Sequence, residues 1–335
     1  MAEDPVGQVD LPRFVELIEQ ELLGGERKYT REEMVERVGG DIETARSRWR
    51  SLGFATTNDD ERLYTDADVQ ANRDVYELQD VAGIDDDVML AMTRIIGQTF
   101  ARLASWQGQV VTDRVANDPE LLAGGAEGVS ELIGSIMPIV ERLHDYVWRR
   151  QLSAYFARVA ANAQSGEGIG TEVAMAVGFV DMAGFTTFTR QSSEADLRNV
   201  LTRFESMATD VVGTNNGQIV KTIGDEILFT VDRAADAAQI ALTMVETAES
   251  DDVLPQVRAG VAYGPIVSRL GDVFGQPVNI ASRLTSVART GSVLVDQGIH
   301  DKVDDDESLR LHPLRPVNVR GYQHLKSWRL RRTPS

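Results

Sequence analysis

Cysteine is absent from the sequence. Disulfides, thiolate metal sites and thiol nucleophiles are therefore excluded, and the composition suits a reducing compartment. Positive charge is scarce: 34 Lys and Arg stand against 52 Asp and Glu, a net charge of −18. Such a balance opposes general binding to nucleic acid or to an anionic membrane surface. Long apolar runs are missing too, since none approaches the ~18 residues that a membrane helix requires. The first residues, MAEDPVGQVD, are acidic and have no apolar centre of the kind a signal peptide carries. The expectation is a cytoplasmic protein with no membrane insertion and no nucleic-acid partner.

With 335 residues and 42% hydrophobic side chains, the chain is long enough for about two domains with substantial cores. The first half reads as helix throughout. Phe14, Leu17, Ile18 and Leu22 make a stripe of helical period that stops at Gly24-Gly25. Thr30 with Glu33 is a capping box, Asp41 can cap a second short helix, and Thr65 with Asp68 opens a third. This segment, with the RLYTDADV that it contains, resembles the helix-turn-helix and wing of MerR-type regulators. Residues 30–50 hold five arginines and five acidic residues, so they form no positive footprint. Val88, Met89, Met92, Ile95, Ile96 and Phe100 form a broad apolar face, suited to core, to a partner helix or to a small apolar ligand. Gly124-Gly125 interrupts the pattern, and Pro138 is expected to begin a long helix reaching about Ala163. Ser165 to Gly170 reads as a hinge, which places an all-α domain at 1–165 and a second domain at 166–335.

The second half alternates strand and helix. Strands are expected at Glu172–Asp181, Gln218–Ile223, Glu226–Val231 and Gln256–Tyr263. Helices fall between Ser193 and Val212 and over Ala234–Glu249. Gly224-Asp225 makes the second and third strands a hairpin. The order βαββαβ is that of a ferredoxin-like α+β domain. Further short strands and a helix follow Val278, with Trp328 near the end of the last strand. Asp181 and Asp225 both stand where an apolar strand meets a glycine-containing turn. Paired carboxylates there suit a hard divalent cation, and together they can hold two such ions on a triphosphate.

Four stretches, FVDMAGFT, KTIGDEILF, AGVAYGPIV and GDVFGQPVNIASRL, occur in that order. With them, residues 172–331 resemble the catalytic domain of class III adenylyl cyclases. The resemblance implies a homodimer that converts ATP to 3′,5′-cyclic AMP and pyrophosphate with two Mg²⁺ or Mn²⁺ ions per site. It implies Asp181 and Asp225 as metal ligands, and Lys221 and Asp272 as the residues that read adenine. It also implies Asn279 orienting the ribose, Arg283 stabilising charge on the α-phosphate, and Arg320 in place of a phosphate-binding lysine. In this family the metal aspartates come from one chain and the other residues from its partner, so a homodimer has two complete sites.

The helical half is similar in layout to the autoinhibitory domain of pH-responsive mycobacterial members of the family. His144 lies in the long helix with Glu141 and Asp145 beside it, and histidine alone titrates near neutrality with an unperturbed pKa. It is the candidate regulatory residue. Two alternatives remain at this level: a guanylyl cyclase, and a DNA-binding regulator with a nucleotide-sensing cyclase-like domain.

Overall fold

The computed structural model describes residues 11–55, 58–164, 172–269, 271–319 and 322–334. The chain forms two compact units, Met1–Ala160 and Ala161–Ser335. The expected hinge at 165–170 lies outside the described residues.

In the first unit, α1 spans Leu11–Leu23, α2 Arg31–Val38, α3 Ile42–Ser51, α4 Asp66–Ala82 and α5 Asp86–Ala116, and α6 spans Pro119–Gln164, ending just past the boundary. The capping boxes at Thr30/Glu33 and Thr65/Asp68 are formed, and Asp41 accepts from Thr44 N. Met34, Ala45, Tyr64 and Val69 make a small core beneath α2–α4. The Asp85 side chain caps α5 by accepting from Val88 N. Of the apolar face expected on α5, Met89 is buried whereas Val88, Ile96 and Phe100 are about half exposed. Pro138 does not begin a helix; it lies inside α6. The proline at the first helical position is Pro119, where the Asp118 carboxylate accepts from Glu120 N and Leu121 N. A proline interior to a helix costs one backbone hydrogen bond, and α6 continues through it. The break that the glycines imply is real: Gly125 is non-helical at φ 60°, ψ −145°.

The second unit is a mixed sheet with helices on both faces. Its elements are β1 (Glu172–Met182), α7 (Phe185–Gln191), α8 (Glu194–Thr214), β2 (Gln218–Ile223), β3 (Glu226–Val231), α9 (Ala234–Ser250), β4 (Val257–Arg269), β5 (Asp272–Phe274), α10 (Gln276–Val287), β6 (Val293–Val295), α11 (Gln297–Val303), β7 (Leu309–Pro313), β8 (Val317–Val319), β9 (Tyr322–Leu325) and β10 (Trp328–Arg332). The strand order β2-β3-β1-β4 is antiparallel throughout, as the βαββαβ reading requires. The sheet continues through β6, parallel to β4, to β10 and β7. Trp328 begins the last strand instead of ending it, because β10 runs on to Arg332 opposite Leu309.

Period-2 alternation divides the residues of β1 and β3 between two cores. Ala176, Val180, Ile227 and Phe229 face α8, α9 and α11. Val177, Phe179 and Leu228 face α10, with Ile280, Ala281 and Leu284 against them. The close approach of α10 depends on Gly260. A Cβ there would stand 2.3 Å from Thr285 N and 2.4 Å from Ala281 O. Thr285 Oγ1 also donates to the Phe179 carbonyl at 3.3 Å.

Candidate active site

The β2–β3 turn is closed by Gly224 at φ 64°, a backbone state that glycine adopts without strain. Asp225 follows, and its carbonyl accepts from Met182 N at 3.0 Å. That bond holds the turn against the end of β1, where Asp181 lies. In the sheet Asp181 is opposite Glu226 on β3 and opposite Arg258 on β4. The three side chains therefore share the face that carries α10. Arg258 Nε donates to Asp181 Oδ2 at 2.8 Å, and Nη2 is ion-paired to the same oxygen at 2.7 Å. Its Nη1 donates to the Ser286 carbonyl in the last turn of α10 at 3.2 Å.

Negative charge is crowded here. Burial pushes the Asp225 carboxyl up; its own backbone N–H opposes the shift and the nearby Asp181 adds to it. Burial, reinforced by Asp181 and Asp225, pushes Glu226 up to about 7, with Arg258 working against the rise. Two aspartates and one arginine leave a local excess of hard oxygen donors, which fits Mg²⁺ or Mn²⁺. Among the described residues no set of three or more His, Cys, Asp and Glu forms a metal cage. A magnesium ion needs none, since one or two carboxylates plus substrate phosphates usually complete its coordination.

Lys221 and Asp272 are 51 positions apart in sequence, yet Lys221 Nζ donates to Asp272 Oδ2 at 2.5 Å. Asp272 Oδ1 also accepts from Val273 N at 2.9 Å. Burial opposes the charge of Asp272, but the Lys221 ammonium and that N–H outweigh it and hold the carboxyl below the usual carboxylate range. A cation donor and a carboxylate acceptor thus stand side by side, both about one-third exposed.

Asn279 and Arg283 sit on α10, one turn apart. The helix buries Pro277, Ile280, Ala281, Leu284 and Thr285, which leaves its other flank to these two polar residues. Asn279 is exposed and donates from Nδ2 to the Gly275 carbonyl at 3.3 Å. Arg283 is half-buried. Arg320 lies outside the described residues. In the first unit, His144 Nε2 is 3.0 Å from Gln107 Nε2 on α5, and Phe100 meets its ring edge-on. The neighbouring Asp145 carboxylate is engaged by Arg149 at 2.8 and 2.9 Å.

Arg258 and Glu226 were not among the residues singled out from sequence. Glu226 immediately follows Asp225. Arg258 carried one signal: it is the lone charge near the start of an otherwise apolar strand, VRAGVAY.

Comparison with known proteins places these observations among relatives. Residues 171–332 match the family model described as the adenylate and guanylate cyclase catalytic domain. An adenylate cyclase of Streptomyces coelicolor is 38% identical over 282 residues, covering 84% of this chain and 73% of the relative. An adenylate cyclase of Glutamicibacter nicotianae is 32% identical over 326 residues, covering 93% and 81%. A protein of Mycobacterium tuberculosis named as a pH-sensitive adenylate cyclase is 28% identical over 294 residues, covering 86% and 74%. All three aligned lengths exceed the second unit, so the similarity extends into the helical one.

Proposed function

This chain belongs to the adenylate and guanylate cyclase family and is an adenylate cyclase, and on that premise we propose that it forms 3′,5′-cyclic AMP at sites shared between the two subunits of a homodimer. In each site Asp181 and Asp225 of one subunit work with the partner subunit's Lys221, Asp272, Asn279 and Arg283. Lys221 donates to N1 of adenine and Asp272 accepts from the 6-amino group. Guanine presents the opposite donor and acceptor pattern at those positions, so the pair selects against GTP. Asn279 orients the ribose. The 3′-oxygen attacks the α-phosphorus in line, the O3′–P bond forms, the 3′ proton is lost, and the bond to the β-phosphate oxygen breaks with release of pyrophosphate. Arg283 stabilises the charge that builds on the α-phosphate. Mg²⁺ or Mn²⁺ ions held by Asp181 and Asp225 would supply activation of the 3′-hydroxyl and neutralisation of the triphosphate.

The observation that carries this reading is the Lys221–Asp272 pair, because a donor and an acceptor held together match the hydrogen-bonding edge of adenine. The shared site is tested by mixing two inactive chains, Asp181→Ala and Arg283→Ala. A heterodimer has one site with both lesions and one with neither, so it recovers activity. Verified heterodimers without activity would remove the shared-site reading.

The helical unit is read as regulatory, with acid relieving its inhibition of the catalytic dimer partly through His144. In the arrangement described, His144 meets the neutral Gln107 amide and the Phe100 ring. A protonated His144 could pair with a carboxylate in a second arrangement and not in this one, and acid would favour that arrangement by linkage. Comparing the full chain with its His144→Ala variant at about pH 6 and about pH 8 tests this, and an unchanged activity ratio overturns the role of His144. A ratio as large in the catalytic domain alone overturns the regulatory role of the helical unit.

A further inference from the structure

Arg258 makes two hydrogen bonds and an ion-pair contact that no step above uses. Nε and Nη2 converge on one oxygen, Asp181 Oδ2, and Nη1 holds the Ser286 carbonyl. Both ends of the contact are partly buried, the Arg258 side chain 31% exposed and that of Asp181 16%. Such a charge-assisted pair is an ordered feature and not a loose surface ion pair. No other cation is described on Asp181, and the acidic Asp225 and Glu226 are its neighbours. A guanidinium therefore engages a carboxylate that would otherwise be free to hold a divalent cation.

We propose that Arg258 is the resident counter-ion of Asp181 in the metal-free enzyme, a positioning residue that metal entry displaces from this carboxylate while Ser286 retains it. The inference rests on Asp181 being a metal ligand. Three consequences follow from charge alone. Arg258 keeps Asp181 ordered and neutralised when no metal is present. It weakens metal binding in the absence of nucleotide, because a positive charge must leave or share the site. Once displaced, it remains tethered beside the site by α10, near where a polyanionic substrate arrives.

The test is nucleotide-free Mn²⁺ binding to the full chain, read from the electron paramagnetic resonance signal of free Mn²⁺. Arg258→Gln and Arg258→Met remove the charge and keep the bulk, and making both guards against a folding failure in either. Each should bind Mn²⁺ at least about tenfold more tightly than wild type, since one charge roughly 6 Å from a divalent ion costs about 1.4 kcal/mol even at the dielectric of water. Arg258→Lys keeps the charge and should bind within about threefold of wild type. Unchanged or weaker binding in the folded Gln and Met variants overturns the inference. A guanidinium serving only the triphosphate, or only the packing of β4, gives that unchanged result. Asp181→Asn separates the two levels of the argument. If it leaves Mn²⁺ binding intact, the metal reading itself is wrong; if it abolishes binding while the Arg258 variants do not tighten it, only the counter-ion role is wrong.

Discussion

Gly260→Ala is the smallest perturbation that tests how the fold positions the site. The glycine is required by space. Its added Cβ would sit 2.3 Å from Thr285 N, 2.4 Å from Ala281 O and 2.6 Å from Thr285 Oγ1, whereas ordinary contact begins at 3.4 Å. Two of these atoms are backbone, so no side chain can swing aside, and α10 must retreat by about 1 Å. Overpacking of this kind costs about 1–3 kcal/mol. The alanine recovers roughly 0.5 kcal/mol of strand entropy. A net loss of about 1.5 kcal/mol lowers Tm by roughly 3–6 °C in a unit of this size. The functional effect should be larger, because Asn279 and Arg283 travel with the helix, and a misplacement of about 1 Å can cost ~100-fold in rate. Thermal unfolding and cyclic AMP formation from ATP are measured on the same preparation. Gly178→Ala is the control: its Cβ would meet the Phe229 ring at 2.2 Å, on the face away from α10. It should lower Tm comparably and spare most of the activity. Gly260→Ala activity within about threefold of wild type would refute the claim that this contact sets the position of the two residues.

Asp181→Asn and Asp225→Asn should each lower cyclic AMP formation by about 1,000-fold or more without changing the elution volume of the protein, and substantial activity in either would remove its metal assignment. Asp272→Ala leaves the Lys221 ammonium without its carboxylate; steady-state kinetics should show KM for ATP raised by about tenfold or more and the preference for ATP over GTP reduced, and an unaltered preference would count against the base-reading pair. Asp296, buried at the start of α11, is pushed up to about 6 by its burial, with bonds from Ile299 N and Tyr263 N opposing the shift. The folded chain therefore holds a proton that the unfolded chain releases. The stability this lends is full below about pH 4 and is lost as pH rises through about 6, at most on the order of 3 kcal/mol. Asp296→Asn cannot titrate and should flatten the fall in Tm over that window; parallel curves for the two proteins would show that Asp296 does not titrate there.

Local rules made the caps legible in sequence. Thr30, Thr65 and Ser193 each precede a carboxylate by three residues, and all three capping boxes are formed. The βαββαβ order was legible for a similar reason: strand periodicity and the Gly224 turn are short-range signals. Asn279 and Arg283 came from the resemblance to class III cyclases; helical spacing added only that residues four apart share one face. The rest required long-range register. Lys221 reaches Asp272 only because β2 and β5 come together at one edge, and Arg258 reaches Asp181 only because β1 and β4 pair across 77 positions. Neither distance can be read from alternation. Pro138 misled for the opposite reason. Proline suits a first turn, yet a long helix can absorb one missing hydrogen bond. Here the helix containing Pro138 starts after the break at Gly125, and Pro119 with Asp118 starts the short piece before it.

The register also shows why the seating of α10 and the chemistry are hard to separate. Lys221, Leu228, Phe179 and Gly260 lie across the sheet in one row, and Ile223, Glu226, Asp181 and Arg258 lie in the next row on the same face. The first row seats α10 through Gly260; the second carries the carboxylates and, through Arg258, holds the end of the same helix at Ser286. The β2–β3 hairpin contributes to both rows, with Lys221 on one strand and Asp225 at the turn. In the proposed homodimer these two residues serve different sites. A shift of the hairpin would therefore move the base-reading lysine of one site together with a metal carboxylate of the other. Interdigitated packing transmits such displacements instead of absorbing them. Occupancy of one site is then expected to alter the geometry of its twin, with the hairpin and the Arg258 contact to α10 as the two mechanical links.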